Sequence, residues 1–192
     1  MKDQGNAWFF GYGSLVNRAT HHFQNAQPAR LTGWRREWRH TNLRPVAFLT
    51  VVPDPKGEID GLIAPVPDGD WAALDLREGA YARTPAAHQV THPLPHQPHI
   101  AVYAIPEGLH GQPSRAHPVL LSYIDVVVQG YLREYGKVGA QRFFDTTGGW
   151  DVPILNDRAA PIYPRHTVLD ADQRDFVDAA LSRLPAQIEQ PQ

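Results

Sequence analysis

The sequence predicts an α+β fold: a mixed or antiparallel sheet, or a small barrel, flanked by helices. Three observations lead there. Short β-type runs fill the chain up to Ile105, and helical spacing dominates only after Pro118. Strands first and helices later is the order of α+β domains, whereas a doubly wound parallel sheet alternates the two regularly. Proline occurs 18 times, concentrated between Pro45 and Pro118, which punctuates the strand-rich part with turns. Finally, 192 residues at 42% hydrophobic content suit one domain with one core. The expected organisation is a single domain over 1–192. A helical and loop-rich extension over 136–184 packs on it, and the polar tail over 185–192 frays.

Ala7 to Tyr12 is aromatic and reads as a first, buried strand that runs into Gly13-Ser14-Leu15. Arg30 to Arg39 alternates imperfectly and suggests a second strand with a solvated face. Ala47 to Val52 and Glu58 to Val66 read as the arms of a hairpin around Asp54-Pro55-Lys56-Gly57. Asp68-Gly69-Asp70 supplies a helix N-cap, because a carboxylate accepts the free N–H groups of a first turn. Trp71, Leu74 and Leu76 are the apolar residues of a short helix. It stops near Glu78-Gly79, where glycine tolerates the left-handed C-terminal position. Tyr81 to Val90, interrupted by Pro85, and His99 to Ile105 are further strands. Beyond them, Pro118 to Tyr135 and Gly139 to Phe144 are helical, Trp150 to Pro164 is an ordered loop, and Asp170 to Leu184 is a final amphipathic helix.

Composition removes several function classes. The formal net charge of −2 offers no strongly basic field for nucleic-acid phosphates. The absence of cysteine excludes disulfides, thiolate nucleophiles and cysteine-based zinc sites. No run approaches the roughly 18–20 apolar residues that span a bilayer, and the apolar stretch Ala7–Phe10 is too short for a signal-peptide core. A cytoplasmic protein without membrane or nucleic-acid partners is expected; the oligomeric state is not legible.

Two segments carry chemistry. In Phe10-Gly11-Tyr12-Gly13-Ser14-Leu15, glycines flank a tyrosine at a strand end. Main chain there can approach a ligand closely, and successive N–H groups form an anion-binding nest. The lysine and spacing of a phosphate loop are missing. In Leu74-Asp75-Leu76-Arg77-Glu78-Gly79-Ala80-Tyr81-Ala82-Arg83, charged groups interrupt an apolar stretch. Taken alone, the first is an ordinary strand-end turn and the second a solvated helix end.

Together they resemble the γ-glutamyl cyclotransferase-like superfamily, which includes ChaC-type and AIG2-like proteins. An aromatic strand ends in Gly-Tyr-Gly-Ser-Leu, and Leu-Asp-x-Arg-Glu-x-x-Tyr-x-Arg follows about sixty residues further on. Ser122 to Gly130 is similar to the later family helix that bears a substrate-facing tyrosine. The spacing between Glu78 and Tyr81 is one residue shorter than in many members. The resemblance implies a γ-glutamyl substrate whose α-amine attacks its own γ-carbonyl, giving 5-oxoproline and an amine, amino acid or dipeptide. It implies Glu78 as the catalytic acid and base, and Tyr12, Gly13, Ser14, Leu15 and Tyr123 as substrate-binding residues. Arg77 and Tyr81 act in support, with Arg77 turned away from Glu78, and Trp71, Leu74 and Tyr81 make Glu78's surroundings apolar. No cofactor and no metal are implied. A non-catalytic binding module of the same fold, or an amidohydrolase on γ-glutamyl amides, are the alternatives. The leaving group stays open, and Asn156-Asp157-Arg158 with Tyr163-Pro164-Arg165 are assigned only to a C-terminal extension.

Other signals carry less. His88, His92, His96 and His99 are interleaved with prolines and lack a carboxylate partner, so a solvated loop is expected there. Arg35, Arg36 and Arg39 read as the wet face of a strand. Ser14 lacks the GxSxG setting of a hydrolase nucleophile.

Overall fold

The computed structural model describes residues 6–42 and 45–191; the first five residues lie outside them. In chain order the elements are β1 (Ala7–Gly11), β2 (Gln27–Arg39), β3 (Phe48–Pro65), α1 (Trp71–Arg77), β4 (Ala82–Pro85), β5 (Val90–Thr91) and β6 (His99–Ala104). Then come β7 (Val119–Leu120), α2 (Leu121–Asp145), β8 (Thr147–Gly148), β9 (Pro153–Leu155), α3 (Ala171–Leu181) and β10 (Gln187–Glu189). A mixed sheet orders its strands β4-β6-β1-β3-β2-β5, with β8 added to β2, and a small sheet orders β10-β9-β7. The α+β class with a mixed sheet and flanking helices is therefore the observed one.

β1 lies inside the sheet, antiparallel to β3 and parallel to β6. Both its faces are covered, which is why Ala7, Trp8, Phe9 and Phe10 form an unbroken apolar run and all are buried. α2 supplies the other half of the core. Its first turns, including Leu121, Ile124, Val127, Val128 and Tyr131, are buried nearly all round. Gly136, with φ +66°, breaks the helical path between the two expected helical stretches, a conformation that a side chain would disfavour.

Four features differ from the sequence reading. The expected hairpin over 47–66 is instead one long strand. Both arms pair with β2, Thr32 opposite Glu58 and Trp34 opposite Pro53, so the Asp54–Gly57 turn residues bulge out of a continuous ladder. The same shift changes which side of β2 faces inward. Ala29 and Leu31 are buried before it, and Trp34, Arg36 and Trp38 after it, so Arg36 belongs to the core and not to a wet basic face. Gly79 does not adopt a left-handed conformation, because α1 ends with Glu78 N–H donating to the Leu74 carbonyl (2.9 Å) and Tyr81 N–H to the Glu78 carbonyl (2.7 Å). Of the apolar residues of α1, Leu74 is buried and Leu76 is 84% exposed. Lastly, the tail expected to fray carries β10, parallel to β9 and held by an Arg115–Glu189 ion pair of 2.7 Å.

The buried Arg36 guanidinium is satisfied by neutral acceptors. It donates to the carbonyls of Tyr12 (3.3 Å) and Asp60 (2.7 Å), to Thr146 Oγ1 (2.7 Å) and to the Tyr131 hydroxyl (2.6 Å). It also lies over the rings of Tyr131 and Phe143. A buried charge is tolerable only with such a full set of partners. Its bond to Tyr12 O fixes main chain at the exit of β1, where the site begins.

Candidate active site

β1 ends at Gly11, and the chain turns through Tyr12-Gly13 into a single 3-10 turn, Ser14–Val16. Asn17 anchors this turn to α2: its side-chain amide donates to the Val126 carbonyl (2.9 Å) and to Gln129 Oε1 (3.0 Å). Within the turn, Val16 N–H bonds back to Gly13 O at 3.0 Å. The amides of Ser14 and Leu15, at its start, have no intrahelical acceptor. They border a cleft of 320 Å³ whose lining includes Gly11 to Leu15, Arg77, Glu78, Tyr81, Tyr103 and Tyr123. Every residue singled out in the sequence for catalysis, substrate binding or support thus borders one cavity.

Glu78 is the C-cap of α1, whose start is set by Asp70 accepting from the amides of Ala72 and Ala73 at 3.1 Å each. Leu74 anchors the helix in the core, which aims its C-terminal end at the cleft. The Glu78 side chain keeps 29% of its surface exposed. Arg77 does not turn away, in contrast to the sequence reading. Its Nε is 3.7 Å from Glu78 Oε1, and its guanidinium lies over the Phe23 ring at 5.2 Å. Trp71 is not beside Glu78 either, because it stacks under Arg83 at 4.4 Å away from the cleft lining.

The tyrosines differ in what their hydroxyls are free to do. Tyr12 is buried and donates to the Tyr103 carbonyl at 2.7 Å; burial pushes its phenol well up, so it remains a neutral donor already engaged. Tyr81 donates to the Leu49 carbonyl at 3.1 Å. Tyr103 donates to Asp75 at 2.5 Å, and burial and that carboxylate raise its phenol. Tyr123 is raised chiefly by burial, while the Ser14 amide facing its hydroxyl works against the rise. It is the predicted binding tyrosine whose hydroxyl stands at the glycine loop.

Other cleft residues were not legible as such in the sequence. His21 accepts from Phe23 N–H through Nδ1 (3.1 Å) and donates through Nε2 to the Leu15 carbonyl (2.8 Å), so both ring nitrogens are used and the ring is neutral. Burial, more than its neighbours Arg18, Arg77 and Arg165, lowers its pKa. Tyr163 and Arg165 also line the cleft. They arrive from a segment clamped to α2. Asp157, 2% exposed, accepts from Ser122 N–H (2.8 Å), Ser122 Oγ (2.5 Å) and Ile162 N–H (2.8 Å). Arg158 forks onto Asp125 with two bonds of 2.7 Å. Asp157 caps the helix that carries Tyr123, but no sequence spacing reveals a cap delivered from thirty-five positions away. Among the described residues no group of three or more histidines and carboxylates is arranged to hold a metal ion.

Three solved structures share the fold. YkqA from Bacillus subtilis aligns with TM-score 0.55 and 16% identity, over 77% of this chain, which spans 58% of that protein's length. A structure described as gamma-glutamyl cyclotransferase aligns with TM-score 0.53 and 14% identity, over 90% of this chain and 98% of the other. The Homo sapiens protein loc79017 gives TM-score 0.52 and 14% identity, over 89% and 97%. No curated protein matches the sequence. The family model described as ChaC-like protein matches residues 7–105, just over half of the chain and the whole stretch from β1 through the glycine loop and Glu78 to the end of β6. By that match, the chain belongs to the ChaC-like protein family.

Proposed function

We propose that this protein is a γ-glutamyl cyclotransferase. One observation carries the reading. The glycine-flanked loop after β1 and the carboxylate of Glu78, more than sixty positions apart in sequence, border the same 320 Å³ cleft. Membership in the ChaC-like family supports it, as does a fold shared with a gamma-glutamyl cyclotransferase.

In the proposed reaction the substrate's α-carboxylate lies against the Gly13–Leu15 main chain and the glutamyl chain folds back on itself. Glu78 takes a proton from the α-ammonium. The amine nitrogen then attacks the γ-carbonyl carbon, a C–N bond forms, and main-chain N–H groups stabilise the oxyanion. Glu78 returns its proton to the departing nitrogen as the original amide bond breaks. The products are 5-oxoproline and a free amine, amino acid or dipeptide. The attack is intramolecular, so holding the folded-back conformation supplies much of the rate. Tyr123 is positioned to bond the glutamyl unit, while Tyr12 and Tyr81 act through ring shape and through the main chain their hydroxyls brace.

The test is 5-oxoproline release from a panel of γ-glutamyl peptides, amino acids and amines. Glu78→Gln should lower kcat by about 10²-fold or more with an unchanged circular dichroism spectrum. Full activity in that variant would dismiss Glu78 as the acid and base. Release of glutamate in place of 5-oxoproline would make the protein an amidohydrolase, and binding without turnover would make it a binding module.

A further inference from the structure

The charges that face the cleft are unequal. Among the described residues that line it, Glu78 is the one carboxylate, whereas Arg77 and Arg165 are both cationic, and His21 is held neutral by its two bonds. Arg77 is close to Glu78. Arg165 is exposed, rests over the Tyr163 ring with its guanidinium 5.7 Å from the centroid, and among the described residues pairs with no carboxylate. Beside it the Tyr163 hydroxyl is buried, with no partner among the described residues. The Tyr163 ring meets Tyr123 edge-on at 4.9 Å, which puts this pair next to the tyrosine at the glycine loop. Neither group hangs on a loose loop, because the Asp157 and Arg158 bonds to α2 anchor the segment that carries them.

We propose that Arg165 determines substrate specificity by holding a carboxylate on the leaving-group side, with the Tyr163 ring beneath its guanidinium. This rests on the cyclotransferase reading. The glutamyl α-carboxylate is taken by the loop amides and its ammonium by Glu78, so a cation remains unmatched unless the leaving group is itself anionic. A γ-glutamyl amino acid or peptide brings that second carboxylate, and a γ-glutamyl amine does not. A guanidinium is suited to the task because its planar fork matches a carboxylate. The two residues lie beyond the 7–105 family match, so the preference is written in this chain's own C-terminal segment.

The test compares γ-glutamyl-alanine with γ-glutamyl-ethylamide, which differ only in that carboxylate. In 5-oxoproline release, kcat/KM should favour the alanine compound by about tenfold or more, the worth of a charge-assisted bond at a partly open site, with the difference in KM. Arg165→Gln should bring the ratio close to one, and Arg165→Lys should restore part of it. Equal rates in the native protein, or a ratio untouched by Arg165→Gln, overturn the proposal while cyclotransfer stands. If neither compound releases 5-oxoproline, calorimetric binding decides the matter, and the cyclotransferase reading itself fails only if the whole γ-glutamyl panel is inert. The alanine compound should then still bind about tenfold tighter and lose that advantage in Arg165→Gln. Equal binding of the two, or binding of neither, overturns the proposal.

Discussion

The Tyr123 hydroxyl rests directly on Gly13: a methyl group added to that glycine would sit 2.5 Å from the phenolic oxygen. The ring has little room to retreat, since Trp38 and Tyr163 meet it edge-on at 6.0 and 4.9 Å. Gly13→Ala should therefore cost about 1–3 kcal/mol of stability and depress activity. Tyr123→Phe removes the colliding oxygen. In urea melts the double variant should be more stable than the sum of the single effects predicts; strict additivity would mean that the two residues do not collide.

Tyr131 ties three elements together through one hydroxyl. It accepts from Arg36 at 2.6 Å and faces the carbonyls of Asp60 (2.6 Å) and Tyr12 (3.0 Å). A hydroxyl has one hydrogen, so it donates to one carbonyl at a time and bridges the cation to both. Tyr131→Phe leaves buried polar groups short of partners and should cost about 2 kcal/mol, measured as a fall in the urea midpoint without a change in slope.

Asp157 is the remote cap of α2. Asp157→Ala strips acceptors from Ser122 N–H, Ser122 Oγ and Ile162 N–H at a buried site, and should cost about 2 kcal/mol. It should also raise KM, because Tyr163 and Arg165 lose their anchorage. Ser122→Ala removes only the hydroxyl bond and should cost less.

His21 gives the folded protein an acid-sensitive term. Its folded pKa is below the ordinary value of 6.5, chiefly because the half-buried ring loses hydration. The unfolded chain thus takes up a proton near that value, and the folded chain only at lower pH. Stability from this residue is complete above about pH 6.5 and is lost as pH falls toward the folded pKa. Arg18, Arg77 and Arg165 act in the same direction. Melting temperatures at pH 7.5 and 5.5 should differ more for the native protein than for His21→Gln; an equal difference would remove His21 from the account.

Local chemistry was legible where it acts locally. The aromatic run of β1 and the Asp70 cap of α1 follow from side chains a few positions apart. The glycine loop and Glu78 stand out through their joint resemblance to the motifs of a known family. By contrast, Arg36 looked like one of several solvated arginines. Its burial follows from a register shift on β2, which depends on how many residues β3 places opposite it. β10 escaped notice because a three-residue strand has no periodicity to speak of, and its pairing partner lies more than thirty residues earlier.

The amino-acid order alone thus determined the class of fold, the positions of the main strands and helices, and which residues to suspect of chemistry. Tertiary structure alone decided that Arg77 stays beside Glu78, that Trp71 stands elsewhere, and that Tyr163 and Arg165 complete the cleft wall. The physical reason is one of range. Capping and side-chain periodicity operate within a turn or two of chain and leave marks in neighbouring residues. The direction a charged group faces is set by packing and hydrogen bonds between distant segments, as Asp157 shows in reaching Ser122.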